Sequence, residues 1–294
     1  MRIFWFATLL AFLQPAVVAL GANTLPLSKT FIGESAFQRL MAQGQANNWA
    51  ALPIGERTAA FGMALRGTPY KNFTLEISTS TESPCVNFAG MDCWTFFETA
   101  LAAARLAKIK PNGPYSPQEL LAMIEIDRYR GGRCNGSFTS RLHHLEQWSH
   151  DNERRGLVRD VTRDLGGIPL HRNMKYMGAA WRQFRQLRAD PSLVPEMREI
   201  EAAISDRGIY YIPKSRVPSI ESRIQNGDII CIVTTWPGTF TSHVGLAYRD
   251  KSGTMRFLHA SKTKGAVVLD SRLSDYLKRH SSHAGIMVVR PRDV

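Results

Sequence analysis

The chain has 294 residues, 44% hydrophobic and 21% charged, a globular composition that excludes a disordered polymer and can bury a sizeable core. Its 37 basic and 25 acidic side chains give a net charge of +12, which suits polyanionic surroundings such as nucleic acid, a membrane surface or an anionic envelope. No zinc-finger spacing, RNA-binding aromatic signature or long basic arm accompanies that charge, so nucleic acid is not an expected partner.

The chain opens with MRIFWFATLLAFLQPAVVALGA, in which one basic residue, Arg2, precedes an apolar stretch interrupted by Gln14 and Pro15 and closed by small residues. This is the pattern of a cleaved signal peptide over residues 1–22, with an uncleaved anchor as the alternative. Nothing later is long and apolar enough to span a bilayer, so an exported, periplasmic protein with no stable membrane span after signal cleavage is expected. Export permits disulfides, and Cys85 could pair with Cys134. Cys231 lies inside the strand-like GDIICIVTT and reads as an inert core residue.

Residues 28–66 read as helical, RGTPYKN as a turn, and FTLEIS, which alternates, as a strand. A helix is expected from Trp94 to Lys108, ending before the breaker KPNGPYSP. A second follows on SPQELLAMIEIDRY, with Ser116 and Glu119 forming a capping box. Residues 131–226 are mixed and include the basic, helical-looking MKYMGAAWRQFRQLR, read as a solvated face over a packed one. From Gly227 the pattern changes to short strands, GDIICIVTT, HVGLAYRD, MRFLHAS, GAVVLD and GIMVVRP, with one helix, RLSDYLKRH, before the last. Helices first and antiparallel strands later make an α+β protein. One domain over residues 23–294 is expected, with 111–226 as an insertion-rich segment.

Cys93 stands directly before the first long helix, after Asp92. A helix start lowers a thiol's pKa through the dipole and its free N–H groups, and those groups can also hold an oxyanion. Asp92 opposes this by its charge unless it serves as the N-cap. A base must come from elsewhere. His243 and His259 lie on successive strands joined by RDKSGTM. A three-residue loop with Gly253 in the left-handed region would place both rings on one face of the sheet, where one can orient the other. A two-residue turn would put them on opposite faces. His143 and His144 are adjacent and, on a helix, would diverge by about 100°. With no His-Glu-x-x-His and no Cys-x-x-Cys, neither a metal nor another cofactor is expected.

The ordered series GTPY, MDCWTFFE, YRGG, SRLHHLEQW, NGDIICIVTT, HVGLAY and LHAS, spread from about Gly55 to Pro291, resembles the NlpC-type papain-like cysteine hydrolases. It is most similar to their N-acetylmuramyl-L-alanine amidase branch. The resemblance implies a papain-like core and a peptidoglycan or muropeptide substrate. It implies Cys93 as nucleophile, His243 as general base and His259 as the orienting third residue, with Tyr70, Asp92, Trp94 and Arg141 on the substrate. The bond implied joins N-acetylmuramic acid, notably its 1,6-anhydro form, to L-Ala of the stem peptide. Endopeptidase relatives commonly read D-C-S-G, whereas Trp94 stands in the serine position here. An indole suits stacking on a sugar better than capture of an amine. The competing expectations are a γ-D-glutamyl-diamino-acid endopeptidase and a non-catalytic envelope-binding protein.

Overall fold

The computed structural model describes residues 25–293, so the stretch read as a signal peptide lies outside the described residues. Eight strands form one sheet: β1 (Val158–Asp160), β2 (Ile168–Leu170), β3 (Ile209–Pro213), β4 (Ile229–Thr234), β5 (Thr241–Arg249), β6 (Met255–Ser261), β7 (Ala266–Arg272) and β8 (His283–Pro291). Their order across the sheet is β2-β3-β8-β4-β5-β6-β7, with β1 also paired to β8, and every pairing is antiparallel. The expected late strands are all present, and the mixed α+β class holds.

β4 is buried at all six positions, as its unbroken apolar run requires when both faces are covered. Ile229, Cys231, Val233, Leu246, Leu258 and Met287 face the main core, which the N-terminal helices complete. Ile230, Ile232, Ala247, Phe257 and Ile286 face a second core closed by Val217, Leu273 and Leu277. Cys231 is accordingly a fully buried core residue.

The helices of the main core are α1 (Glu34–Ala46), α2 (Ile54–Ala64), α3 (Cys93–Ile109), α4 (Pro117–Arg128) and α5 (Leu145–Arg154). α3 is buried nearly all round, and five alanines from Ala100 to Ala107 let its neighbours approach closely. Burying Phe96, Phe97 and Leu101 contributes roughly 1.5–3 kcal/mol each. Charges on the same helix are paired inside: Glu98 accepts from Arg128 Nε at 2.7 Å, and Arg105 pairs with Asp127. The Ser116–Glu119 capping box at the start of α4 is formed as expected.

Two local expectations fail. FTLEIS is a turn rather than a strand: Phe73 has φ +60° and is 70% exposed, while Thr74 is drawn to the start of α3 by hydrogen bonds to Asp92 and Thr95. The segment MKYMGAAWRQFRQLR is broken into Tyr176–Ala179, Trp181–Gln183 and Arg185–Ala189, because Phe184 is extended between the last two turns. Met177 and Leu187 pack with Phe138, Val194 and Met197, the last two on α6 (Val194–Arg207), in a small separate cluster.

Candidate active site

Asp92 is the N-cap of α3. Its Oδ1 accepts the Thr95 N–H at 2.8 Å and the Thr95 hydroxyl at 2.9 Å, the Thr95 hydroxyl oxygen accepts the Asp92 N–H at 3.1 Å, and Oδ2 accepts the Thr74 hydroxyl at 3.0 Å. Such a cap contributes about 1 kcal/mol and fixes the angle at which the helix begins. Cys93 therefore occupies the first helical position, partly exposed. The backbone N–H groups of Val244, Trp94 and Cys93 itself act on its sulfur. Contrary to the expected depression, the thiol is pushed up to about 12, first by burial and then by Asp92, with those N–H groups only partly offsetting the rise. Burial penalises the thiolate more than the helix start stabilises it. The resting form is the neutral thiol.

The histidine pair lies where the hairpin places it. The Asp250 N–H bonds the Thr254 carbonyl at 3.0 Å, leaving Lys251, Ser252 and Gly253 as the loop, and Gly253 has φ +82°. Leu246 opposes Leu258, so His243 and His259 share a face one diagonal step apart. His243 Nε2 lies 2.6 Å from His259 Nδ1, the two rings nearly perpendicular at 84°. His259 is 2% exposed and stacks on Phe257 at 4.5 Å. Gly245 makes room for it: a Cβ there would sit 2.8 Å from that of His259 and 2.6 Å from the Leu258 carbonyl oxygen. Burial, then His259, His283 and His280, hold His243 well below the usual histidine value, which keeps it neutral and available as a base.

Cys93, Trp94, His243 and Val244 line one cavity of about 230 Å³. Residues 111–226 add His144, Tyr176 and Phe184 to its lining, and β5 adds Thr241, none of which the sequence reading assigned to a site. His143 and His144 do not sit on a common helix turn; His144 is the residue before α5, and both residues are in the cavity lining. Among the described residues no group of side chains has the arrangement of a metal site.

The remaining expected site residues are scattered. Trp94 lines the cavity, and its ring lies 6.0 Å from that of Phe97. Tyr70 lies beside Cys93 outside the cavity lining, and its hydroxyl is pushed up to about 12 by burial, Cys93 and Asp92 in that order. Arg141 does not line the cavity: it is 7% exposed, paired with Glu82 at 3.2 Å and laid over the Phe138 ring. Cys85 and Cys134 are unlinked thiols, bonded to the carbonyls of Thr74 and Glu82 respectively. Asp270, on β7, was also missed; its Oδ2 lies 3.5 Å from His259 Nε2.

A family model described as AmiA-like, N-acetylmuramoyl-L-alanine amidase-like, matches residues 60–286. Among solved structures, an N-acetylmuramoyl-L-alanine amidase from Bacteroides uniformis is 30% identical with a TM-score of 0.74, covering 82% of this chain and 99% of that one. A Bacteroides fragilis protein provisionally named a xylanase is 35% identical with a TM-score of 0.71, covering 78% of this chain and 98% of that one. A Legionella pneumophila protein, 20% identical with a TM-score of 0.65, covers 89% of this chain and 97% of that one and shares the fold alone. No curated protein sequence matches.

Proposed function

The chain belongs to the AmiA-like, N-acetylmuramoyl-L-alanine amidase-like family, and from that premise we propose that it is a cysteine-dependent amidase of peptidoglycan. It would cut the bond between N-acetylmuramic acid, in its 1,6-anhydro form, and L-Ala. The observation that carries this reading is the convergence of a helix-start thiol and a hydrogen-bonded histidine pair on one cavity. A cysteine-bearing helix start set against an antiparallel sheet that supplies the base supports a papain-like, NlpC-type reading of the core.

In this mechanism Cys93 attacks the lactyl carbonyl carbon while His243 takes the thiol proton, so the high thiol pKa is met by proton transfer during attack rather than by a standing thiolate. Backbone N–H groups at the start of α3 hold the oxyanion. The protonated His243 then gives its proton to the departing L-Ala nitrogen, leaving a thioester on Cys93. Water, deprotonated by His243, cleaves that thioester to release the muramic carboxylate and the free thiol. His259 orients the His243 ring throughout. Trp94 offers an aromatic face for the sugar. The whole of 23–294 acts as one domain, with the 111–226 segment supplying part of the cavity lining. The enzyme would be exported and act in the periplasm; among the described residues no helix is long and apolar enough to cross a membrane.

Two other readings are weaker. An endopeptidase would use Asp92 to hold a free amine, but Asp92 is held by Thr95 and Thr74 and is not among the residues lining the cavity. Cleavage of a glycosidic bond by the usual route needs a pair of carboxyl groups, and no Asp or Glu lines the cavity. The test is to offer anhydro-muramyl-tripeptide and free tripeptide side by side and identify products by mass. Intact tripeptide should be released from the first, with the second untouched. Cleavage of the free tripeptide between D-Glu and the diamino acid would overturn the amidase reading in favour of the endopeptidase. Undiminished binding with no turnover, before and after thiol alkylation, would leave an envelope-binding protein.

A further inference from the structure

Asp270 is joined to four groups, and the pattern is asymmetric. Oδ1 accepts the Ser271 N–H at 2.6 Å and Arg279 Nη2 at 2.8 Å. Oδ2 accepts Lys264 Nζ at 2.8 Å and faces His259 Nε2 at 3.5 Å. The carboxylate is only 5% exposed, while Lys264 and Arg279 are about half exposed. With its oxygens turned to those partners it can only accept from His259, never donate.

Resting on the cysteine-amidase reading above, we propose that Asp270 is a positioning residue that sets the tautomers of both histidines and so leaves His243 Nδ1 as the base. A carboxylate facing His259 Nε2 requires the proton there, because a lone pair in that place would repel it inside a buried site. His259 Nδ1 is then an acceptor. At 2.6 Å from it, His243 Nε2 must donate. The other nitrogen of His243, Nδ1, is left with its lone pair to receive the Cys93 proton. The opposite assignment would put a proton on Nδ1 of His243 and remove the base.

Asp270→Asn discriminates sharply. The Ser271 N–H that donates to Oδ1 is fixed in the backbone, whereas Lys264 on Oδ2 is half exposed and can turn away into water, so the amide oxygen belongs at Oδ1 and the NH₂ group replaces Oδ2. That group would donate to His259 Nε2 and reverse every proton in the chain. Asp270→Ala merely releases the ring. The expected kcat order is therefore wild type, then Asp270→Ala about tenfold lower, then Asp270→Asn ~10²-fold lower or more, with KM within about twofold for both. Imidazole ¹⁵N NMR on the same proteins should show both rings protonated at Nε2 in the wild type, both at Nδ1 in Asp270→Asn and a mixture in Asp270→Ala. A side chain with a merely structural role would make alanine the worse change and leave the tautomers alone. That order, unchanged tautomers, or a folded Asp270→Asn with wild-type kcat would overturn the proposal. The NMR result does not depend on which bond is cut. A protein that hydrolyses no muropeptide yet shows these tautomers loses the amidase reading and keeps this one.

Discussion

The two walls of the cavity are built on different foundations. On one side Cys93 begins α3, whose body is buried almost throughout, and His243 and His259 stand on β5 and β6 between two hydrophobic cores. On the other side Tyr176 and Phe184 come from a run of broken turns resting on its own small cluster, and Tyr176 is 49% exposed. Reacting atoms must be held to a fraction of an ångström, which a densely packed core can enforce. A wall that touches substrate through rings and short polar groups tolerates looser support. The difference implies that changes on the first wall act on kcat and changes on the second act on KM.

The largest effect expected is from Cys93→Ala, which should lower turnover by at least about 10⁴-fold with an unchanged circular dichroism spectrum. Retained hydrolysis in a folded variant would remove the distinction between the walls. His243→Ala should follow, at ~10²- to 10⁴-fold in kcat, because the thiol then has no proton acceptor. His259→Asn should be milder, about tenfold, since an amide can still hold the His243 ring. If His259→Asn proves the worse of the two, their roles are exchanged.

Gly245→Ala tests how tightly the first wall is fixed. Its new Cβ would press on both the Cβ of His259 and the Leu258 carbonyl, so the strands must shift by a few tenths of an ångström or more. A displacement of that order should lower kcat by about 10- to 100-fold while KM stays near the wild-type value. A fall in kcat accompanied by a comparable rise in KM would show that the strain spreads through the cavity. Tyr176→Ala should have the smallest effect: KM raised by roughly three- to tenfold with kcat nearly unchanged, as for the loss of one aromatic contact. A kcat defect there would mean that the second wall also positions the reacting atoms.

The first wall was readable in the sequence and the second was not, for the same physical reason. Strands β4 to β8 follow from continuous or alternating apolar runs cut by turn residues, and the shared face of His243 and His259 follows from one left-handed residue, Gly253. Asp92 and the residues after it spell a helix start that the capping box then realises. These are local signals. Tyr176, Phe184 and His144 reach the cavity only through tertiary packing, and the periodicity of 174–188 conceals the extended residue at Phe184. The direction of the Cys93 shift and the burial of Arg141 against Glu82 depend on how much water the fold excludes, which spacing does not encode. Asp270 reads as an ordinary strand residue until β7 is laid beside β6.

The most direct test of the account is the mass of the covalent intermediate. Wild-type protein should be mixed with anhydro-muramyl-tripeptide, quenched in acid within the first turnover and digested for peptide mapping. The peptide that contains Cys93 should carry the anhydro-muramoyl group as a thioester, with tripeptide released in equal amount. An adduct on another residue, no adduct during full turnover, or a Cys93 thioester bearing the whole anhydro-muramoyl-L-Ala-γ-D-Glu fragment with only the diamino acid released would contradict it.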